Sequence, residues 1–390
     1  MSQPPAALDG TTVLDFSTVG PATRCARILA DYGARVVKVG VPPRKLGLQT
    51  QPAFWSYSAN RGMQQVRIDL KVPEGRAAFL RLAEHADVLI ESFRPGVMKK
   101  LGLDYDVVRE HNPRVVYCST SGFGQDGPAA QQAGHDLDYL ATGGFLHTSN
   151  RRGDGGPPIP GATVADSAAG GMNAALAILA ALLRRGRTGE GEYLDVAVAE
   201  GVLWLESLYI DQHLATGERP GPGHDVLTGR YACYDTYGCG DGKWVAVGAI
   251  EAHFFANLCR ALGCEKWIEH QYDDAVQDAM RADFRAAFAS RARDVWAREL
   301  ALADTCVAPV QAIEDVVADP HFESRGVFGE ARHPEHGSFR QLAPVLAGML
   351  RSRGPVDVPD WRHTHTEEVL AEAGVPTDEI ERMRDEGIVA

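Results

Sequence analysis

The chain has few cysteines, no long apolar run and no excess of basic residues. Its seven cysteines form no C-x-x-C pair, so neither a disulfide framework nor a zinc ribbon is predicted, and no metal site is expected. The longest apolar stretch, Ala174 to Leu183, is about half the length that crosses a bilayer, so no membrane contact is expected. A net charge of −13 argues against nucleic acid as a partner. No export signal is visible at the N-terminus, which predicts a cytoplasmic location.

The order of elements predicts the fold class. Apolar strands alternate with helices from residue 12 to residue 119, beginning with a strand at 12–16, a helix at 22–32 and a strand at 34–39. Repeated β-α-β order predicts an α/β fold with a doubly wound, Rossmann-like open sheet. The turn after the first strand lacks G-x-G-x-x-G, so no nicotinamide site is predicted.

The second half of the chain predicts a further domain. At 390 residues the chain exceeds the roughly 250–300 at which one core stops growing. Loops are predicted from Ser121 to Gly161, then helices at about 167–185 and 195–209, and a Gly- and Pro-rich linker at 217–229. We therefore predict a large domain at 1–215, completed by 331–390, and a smaller inserted α+β domain at 225–330. Asp241-Gly242 predicts a hairpin turn in the smaller domain.

Three side chains are candidates for chemistry. His135 stands beside an acid in a glycine-rich loop, Asp166 precedes the most apolar helix, and Glu251 follows an apolar strand. Each has a structural alternative. Asp166 stands where an N-cap belongs, His135 is typical of a surface histidine, and Glu251 is typical of the first turn of a helix. Spacing alone does not decide between these interpretations.

Several segments, in order along the whole chain, resemble one known family. They include Val13-Leu14-Asp15-Phe16, Leu29-Ala30-Asp31-Tyr32-Gly33-Ala34, Ala86-Asp87-Val88-Leu89-Ile90-Glu91-Ser92-Phe93-Arg94-Pro95-Gly96, Ser121-Gly122-Phe123-Gly124 and His365-Thr366-Glu367-Glu368. The chain is similar to the CaiB/BaiF group, family III of the CoA-transferases, which also includes α-methylacyl-CoA racemases. The resemblance implies an enzyme that acts on acyl-CoA thioesters and needs no separate cofactor, since coenzyme A is part of the substrate.

Two reactions share this family's fold. The transferases use one aspartate as a nucleophile that forms an acyl anhydride, and Asp166 falls at that position. The racemases move the α-proton of a 2-methylacyl-CoA between the two faces of an enolate, which requires a base on each face. Their bases are an aspartate and a histidine that a glutamate supports. The set of His135, Asp166 and Glu251 favours the racemase and keeps the transferase as the alternative.

The resemblance also implies the ligand contacts and the assembly. The residues expected to bind CoA are Lys38, Arg44, Arg61, Arg67, Glu91, Phe93, Arg94, Gly134, Asp136 and Tyr139. Members of the family form interlocked homodimers whose active site lies between domains of different chains, and the same is expected here. Two segments depart from the racemase pattern, Val41-Pro42 where an arginine precedes the proline, and Leu227-Thr228-Gly229 where the racemases have Asp-Gly-Gly.

Overall fold

Short strands form three separate sheets in the computed structural model, which describes residues 5–43, 53–349, 354–360 and 362–390. The strands within these ranges are β1 (Thr12–Asp15), β2 (Arg35–Gly40), β3 (Gln64–Arg67), β4 (Val88–Glu91), β5 (Val116–Ser121), β6 (Glu192–Ala197), β7 (Tyr234–Gly238), β8 (Trp244–Gly248), β9 (Val307–Pro309), β10 (Phe328–His333), β11 (Gly337–Leu342) and β12 (Val356–Asp357).

Helices connect and cover these sheets. The α-helices of the described ranges are α1 (Gly20–Asp31), α2 (Pro73–Glu84), α3 (Val97–Leu101), α4 (Tyr105–His111), α5 (Asp136–Thr142), α6 (Phe145–Thr148), α7 (Asn173–Thr188), α8 (Val198–Leu205), α9 (Ser207–Thr216), α10 (Ala252–Ala261), α11 (Gln277–Phe288), α12 (Arg293–Leu302), α13 (Ile313–Ala318), α14 (Pro320–Ser324), α15 (Thr366–Glu372) and α16 (Thr377–Asp385). A π-helix at Ala165–Met172 leads directly into α7. Short 3₁₀ segments lie at Val226–Thr228, Glu265–His270 and Asp274–Val276, and a turn with left-handed backbone at Tyr57–Ala59 lies at Ser56–Asn60.

The main sheet confirms the predicted doubly wound fold. Its order is β3-β2-β1-β4-β5-β6, and all its pairs are parallel. This is the order of the two-halved nucleotide-binding sheets, with the reversal between β1 and β4. Leu14 of β1 lies opposite Val37 on one side and Leu89 on the other.

Both faces of the central strands of this sheet are buried, as expected for parallel strands. Leu14, Val37 and Leu89 point to one face and pack with Phe79 of α2 and Leu370 of α15. The alternate residues of the same strands point to the other face and pack against α1 and α7. Each fully buried side chain of this kind contributes about 1.5–3 kcal/mol to the free energy of unfolding.

The π-helix and α7 together form the one stretch, among the described residues, that has the length and composition to cross a membrane (Ala165–Thr188). One side of this stretch, at Ala174, Ala175 and Ile178, is buried against the second face of the sheet. It is therefore also a layer of the α/β fold. Leu176 and Leu183 point outward and are exposed.

A buried charge cluster ties α1 to the C-terminal part of the chain. Asp31 pairs with Arg27 at 2.6 Å and with Arg61 at 2.9 Å. The Arg61 guanidinium also donates to the carbonyl of Leu342 at 2.6 Å. Burial lowers the pKa of Arg27 to about 10. Asp31 therefore neutralises two guanidinium groups that are largely shielded from water.

The chain divides into two compact units. The first comprises residues 1–143, 160–205 and 320–390, and the second comprises 144–159 and 206–319. The sequence places the smaller domain at 225–330. In the second unit, β7, β8 and β9 form an antiparallel sheet whose β7–β8 turn contains Gly242, as predicted. Its core includes Tyr237, Val245, Phe255 and Phe284.

Two predicted elements were wrong. The segment predicted as a helix from Asp195 begins as the last residues of β6, and the helix α8 starts only at Val198. In β6 the exposure alternates residue by residue up to Asp195, as in a half-exposed strand. The predicted loop region 121–161 contains α5 and α6.

Candidate active site

Two cavities lie at the point where the strand order reverses. In open α/β sheets, ligands bind outside the carboxyl ends of the strands at such a point. The larger cavity, of about 1040 Å³, follows β1, β2 and β3, and the smaller one, of about 420 Å³, follows β4 and β5. Val19, Ser92 and Phe93 line both cavities, so the two adjoin.

His135 lies at the entrance to α5 and lines the smaller cavity. It is the N-cap residue with extended backbone, and its N–H donates to the carboxylate of Asp138 at 2.9 Å. The residue is exposed, so its ring is accessible from the cavity. The preceding loop is held by Tyr139, whose hydroxyl donates to the carbonyl of Gly134 at 2.6 Å. A Cβ at Gly134 would stand 2.6 Å from the Tyr139 ring, so only glycine fits there.

Asp166 lies inside the π-helix and lines the same cavity as His135. The predicted N-cap role is wrong, because the helical turn already begins at Val164 and Asp166 is the second residue of the π-helical segment. π-Helical turns are rare and occur often at functional sites, where they redirect one side chain. The backbone N–H of Asp166 donates to Asp136 Oδ1 at 2.9 Å. This bond links the π-helix to the residue that follows His135.

The surroundings of Asp166 raise the pKa of its carboxyl group. Burial is the largest cause and the charge of Asp136 is the second, while Arg24 and His135 act in the opposite direction. A half-buried carboxyl group with a raised pKa is a better proton acceptor than an ordinary aspartate at the same position.

Close packing between three helices fixes the position of the π-helix. A Cβ at Gly170 would stand 2.5 Å from Pro21 of α1, and one at Gly171 would stand 2.8 Å from Arg24. On the opposite side, a Cβ at Gly201 of α8 would stand 2.1 Å from the carbonyl oxygen of Ala169. Glycine at these positions lets the helices approach until their backbones are in contact.

Charged side chains also line the larger cavity. Lys38 contributes an ammonium group that pairs with the fully buried Asp15 at 2.7 Å. Arg67 and Lys71 line the same cavity further along the sheet. The cavity therefore combines cationic groups with the apolar side chains of residues such as Phe16 and Phe93, which suits a long ligand with anionic groups.

Of the residues predicted to bind CoA, six line a cavity. They are Lys38 and Arg67 in the larger one, Arg94, Gly134 and Tyr139 in the smaller one, and Phe93 in both. Asp136 contacts the backbone of Asp166 instead. Arg44 lies outside the described residues.

The structure does not support two of the predicted CoA contacts, those of Arg61 and Glu91. Arg61 is 5% exposed, and its guanidinium bonds to Asp31 and to the C-terminal part of the chain, so the predicted ligand contact is not supported. Glu91 is 4% exposed, and its carboxylate accepts the N–H of Phe93 at 2.8 Å, so it shapes the turn after β4. Burial raises the pKa of Glu91.

Glu251 belongs to the second unit. It is the N-cap residue of α10, directly before the first turn, and its carboxylate accepts no hydrogen bond from that turn. The preceding carbonyl, that of Ile250, accepts from Gln271 at 2.6 Å and from the Tyr272 hydroxyl at 2.7 Å. These bonds fix the end of the segment that carries Glu251.

Comparison with known proteins identifies the family. The model of CoA-transferase family III matches residues 8–358. This chain belongs to CoA-transferase family III. The α-methylacyl-CoA racemase of Homo sapiens is 35% identical over 98% of this chain and 97% of its own length. The succinyl-CoA:mesaconate CoA-transferase of Haloarcula marismortui is 32% identical over 95% and 97%. A CaiB/BaiF family protein from Brucella suis has the same fold, with a TM-score of 0.75, 28% identity, and coverage of 95% of this chain and 100% of that one.

The family III enzymes therefore include relatives of both reaction types at similar identity. The resemblance inferred from the sequence motifs is confirmed, and with it the assignment as an enzyme of the family III transferase and racemase class. The described ranges contain no group of three or more side chains placed to hold a metal ion.

The sequence did not point to two residues of this family III site. Arg24, whose guanidinium donates to Thr163 at 2.6 Å, contributes positive charge near Asp166. The Tyr57 hydroxyl accepts the N–H of Gly20 at 3.0 Å and so holds the turn after β1. The sequence alone does not reveal them, because both residues contact partners that are distant in sequence.

Proposed function

We propose that this enzyme racemises or epimerises 2-methylacyl-CoA thioesters. The observation that carries the proposal is that His135 and Asp166 line one cavity of about 420 Å³. A pair of different bases in one cavity is what inversion through a planar enolate requires. His135 and Asp166 are proposed as the two bases.

In one direction, Asp166 accepts the α-proton from one face of the thioester and a protonated His135 returns a proton to the other face. In the reverse direction the roles are exchanged. The Cα–H bond breaks, its electron pair moves into the enolate, and a new Cα–H bond forms on the opposite side. The raised pKa of Asp166 supports this role, since it brings the carboxyl group closer to the basicity of an imidazole.

Glu251 is proposed to support His135, as the resemblance implies. An acid that accepts a hydrogen bond from one ring nitrogen orients the imidazole and raises the basicity of the other nitrogen. The Glu251 carboxylate is exposed and makes no capping bond in α10, which leaves it available for that role.

The larger cavity is proposed to hold the CoA part of the substrate. Its volume of about 1040 Å³ and its lining by Lys38, Arg67 and Lys71 suit a long ligand that carries phosphates. Since it adjoins the smaller cavity at Val19 and Phe93, a thioester that spans both would place its acyl group beside the two bases.

We also propose that the enzyme forms a homodimer. On the first unit, large apolar side chains are exposed along the helices that cover the sheet. Met172, Leu176 and Leu183 lie on the π-helix and α7, and Leu203 and Trp204 on α8. Extended exposed apolar surface of this kind marks an interaction site, and a second copy of the chain is the proposed occupant. This agrees with the interlocked dimer that the resemblance implies.

The second candidate is CoA transfer with Asp166 as the nucleophile. It is favoured by the mesaconate CoA-transferase, which is 32% identical over nearly the full chain. The raised pKa of Asp166 does not distinguish the two reactions, because a nucleophile and a general base both require the ionised carboxylate. In that reaction His135 would be an accessory residue.

The test is an incubation of the enzyme with one epimer of a 2-methylacyl-CoA in D₂O. We expect deuterium at the α-carbon together with a change in epimer ratio. If neither occurs, and CoA passes from an acyl-CoA to a free acid with a hydroxylamine-sensitive adduct on Asp166, the transferase is the correct assignment.

A further inference from the structure

A histidine in the wall of the larger cavity has its hydrogen-bond donor fixed by the backbone. His333 ends β10, is only 6% exposed and lines the cavity. Its Nδ1 accepts two backbone N–H groups of the following turn, from Glu335 at 3.1 Å and from His336 at 3.3 Å. Since Nδ1 acts as the acceptor, the neutral ring carries its proton on Nε2. No hydrogen bond within the described residues reaches this Nε2–H.

Aromatic rings hold this imidazole in place. Phe54 lies 5.5 Å from the His333 ring and stacks on His336 at 4.0 Å with an interplanar angle of 18°. The Phe54 ring also packs perpendicular to Phe339 of β11, with the ring centroids 5.3 Å apart. Phe54, His333 and His336 all line the larger cavity, so its wall here is a rigid aromatic surface with one fixed N–H donor.

His333 lines the larger cavity together with Arg67 of β3, whereas Asp166 lines the smaller cavity. The smaller cavity follows β4 and β5, whereas the larger one extends over β1 and β2 to β3, the edge strand of the sheet. Three strand spacings separate β4 from β3, which is on the order of 15 Å. In the proposed function, a CoA thioester whose acyl group lies beside Asp166 extends its nucleotide along the larger cavity, which His333 also lines.

The cations of the larger cavity point to an anionic ligand group. Arg67, on the edge strand, and Lys71, just beyond it, line the cavity together with His333. A buried N–H donor beside cationic side chains is suited to a phosphate oxygen, because hydrogen bonds to charged acceptors are about twice as strong as neutral ones. CoA carries a terminal phosphate monoester on its ribose, in addition to the diphosphate nearer the thioester.

We propose that His333 is a specificity residue of the acyl-CoA cavity, whose Nε2–H donates to the phosphate monoester on the ribose of CoA. This rests on the proposed acyl-CoA function. The turn at 333–336 fixes the tautomer, and the Phe54 stack fixes the ring, so the donor is in place before the ligand binds.

Calorimetric binding of CoA and of dephospho-CoA, which lacks only that phosphate, tests the proposal. The wild-type enzyme is expected to bind CoA about tenfold or more tightly than dephospho-CoA, since a hydrogen bond to a charged group has that effect. His333→Asn keeps an oxygen near the position of Nδ1 for the two backbone N–H groups but removes the distal donor. This variant is expected to lose most of the preference for CoA, because its affinity for CoA falls while its affinity for dephospho-CoA stays the same.

His333→Gln supplies a distal amide donor and is expected to restore part of the preference. His111→Asn is the matched control, because His111 is exposed, pairs with Glu84 and lines neither cavity. Circular dichroism and thermal unfolding establish that each variant folds.

Different outcomes would overturn the proposed acyl-CoA function or the proposed role of His333. If wild-type enzyme binds neither ligand, the acyl-CoA function itself is wrong. If it binds CoA, and His333→Asn leaves the CoA preference unchanged, the assignment of His333 is wrong while the function stands. If His333→Asn weakened the binding of CoA and dephospho-CoA equally, the ring would contact the adenine of CoA, and the phosphate assignment would be wrong.

Discussion

The close contact between α8 and the π-helix leads to a sharp prediction. Gly201 of α8 packs on Ala169, three residues after Asp166 in the chain. In Gly201→Ala the new Cβ would meet the Ala169 carbonyl oxygen at 2.1 Å and its carbon at 2.7 Å. Both atoms belong to backbone, so no flexible side chain can move aside. The helices must separate by about 1 Å to reach ordinary contact distances.

The expected cost follows from this displacement. Overpacking a well-packed site destabilises a protein by about 1–3 kcal/mol. The higher helix propensity of alanine relative to glycine stabilises the helix by up to about 1 kcal/mol and offsets part of this loss. We expect a net loss of about 1–2 kcal/mol in the free energy of unfolding. Because a shift of about 1 Å in a reacting group can cost about 100-fold in rate, kcat is expected to fall by tenfold or more.

Urea unfolding and the rate of α-proton exchange measure the two effects. Gly186→Ala is the matched control, since Gly186 is also a helical glycine on α7, and a Cβ added there would have no other atom within 4 Å. The free energy of unfolding of this control variant is expected to rise by up to about 1 kcal/mol, and its activity is expected to stay unchanged. If Gly201→Ala matched Gly186→Ala in both measurements, the packing argument for the position of Asp166 would be refuted.

Three further predictions concern charge and assembly. Asp136→Asn keeps the acceptor for the Asp166 N–H but removes a charge that raises the pKa of Asp166. Activity that requires ionised Asp166 is lost as the pH falls through that pKa, so the acid limb of the kcat/KM profile is expected to move to lower pH. Asp31→Asn leaves two buried guanidinium groups without a counter-charge and is expected to lower the free energy of unfolding by about 3–5 kcal/mol in urea titrations. Trp204→Glu, at an exposed apolar position, is expected to shift the sedimentation coefficient from dimer to monomer.

Each of these has a result that would contradict it. Arg24→Gln removes a charge that lowers the pKa of Asp166, so its acid limb should move in the opposite direction, and equal shifts in both variants would contradict the electrostatic account. A loss below about 1 kcal/mol in Asp31→Asn would mean that water reaches the arginine pair. A wild-type enzyme that sediments as a monomer would remove the basis of the Trp204 prediction.

The sequence was sufficient for the first five strands of the main sheet, because their signals are local. Apolar runs such as Val36-Val37 and Val88-Leu89 indicate buried strands, and the order of strands and helices fixes a parallel sheet. It failed at β6, where Asp195 and the following apolar residues have a helical composition but pair with β5. Tertiary pairing overrode local propensity there.

The candidate site was only partly accessible from the sequence. Residue types and spacing left Asp166 as an N-cap and His135 as a surface residue, and only the resemblance to a family assigned them chemistry. The π-helix has no propensity signature. Gly170, Gly171 and Gly201 make close contacts between this π-helix and neighbouring helices, and a pattern along one chain does not reveal such contacts. His333 was missed because its significance depends on hydrogen bonds within a turn and on a ring from a distant segment.

The central claim is that His135 and Asp166 serve opposite faces of one enolate, and α-proton exchange in single-base variants tests it most directly. Each epimer of a 2-methylacyl-CoA is incubated in D₂O with His135→Ala and, separately, with Asp166→Ala. The account predicts that neither variant inverts the centre and that each still exchanges the α-proton of one epimer only, with the two variants retaining opposite epimers. Inversion that persists in His135→Ala, or exchange of both epimers by one variant, would contradict it.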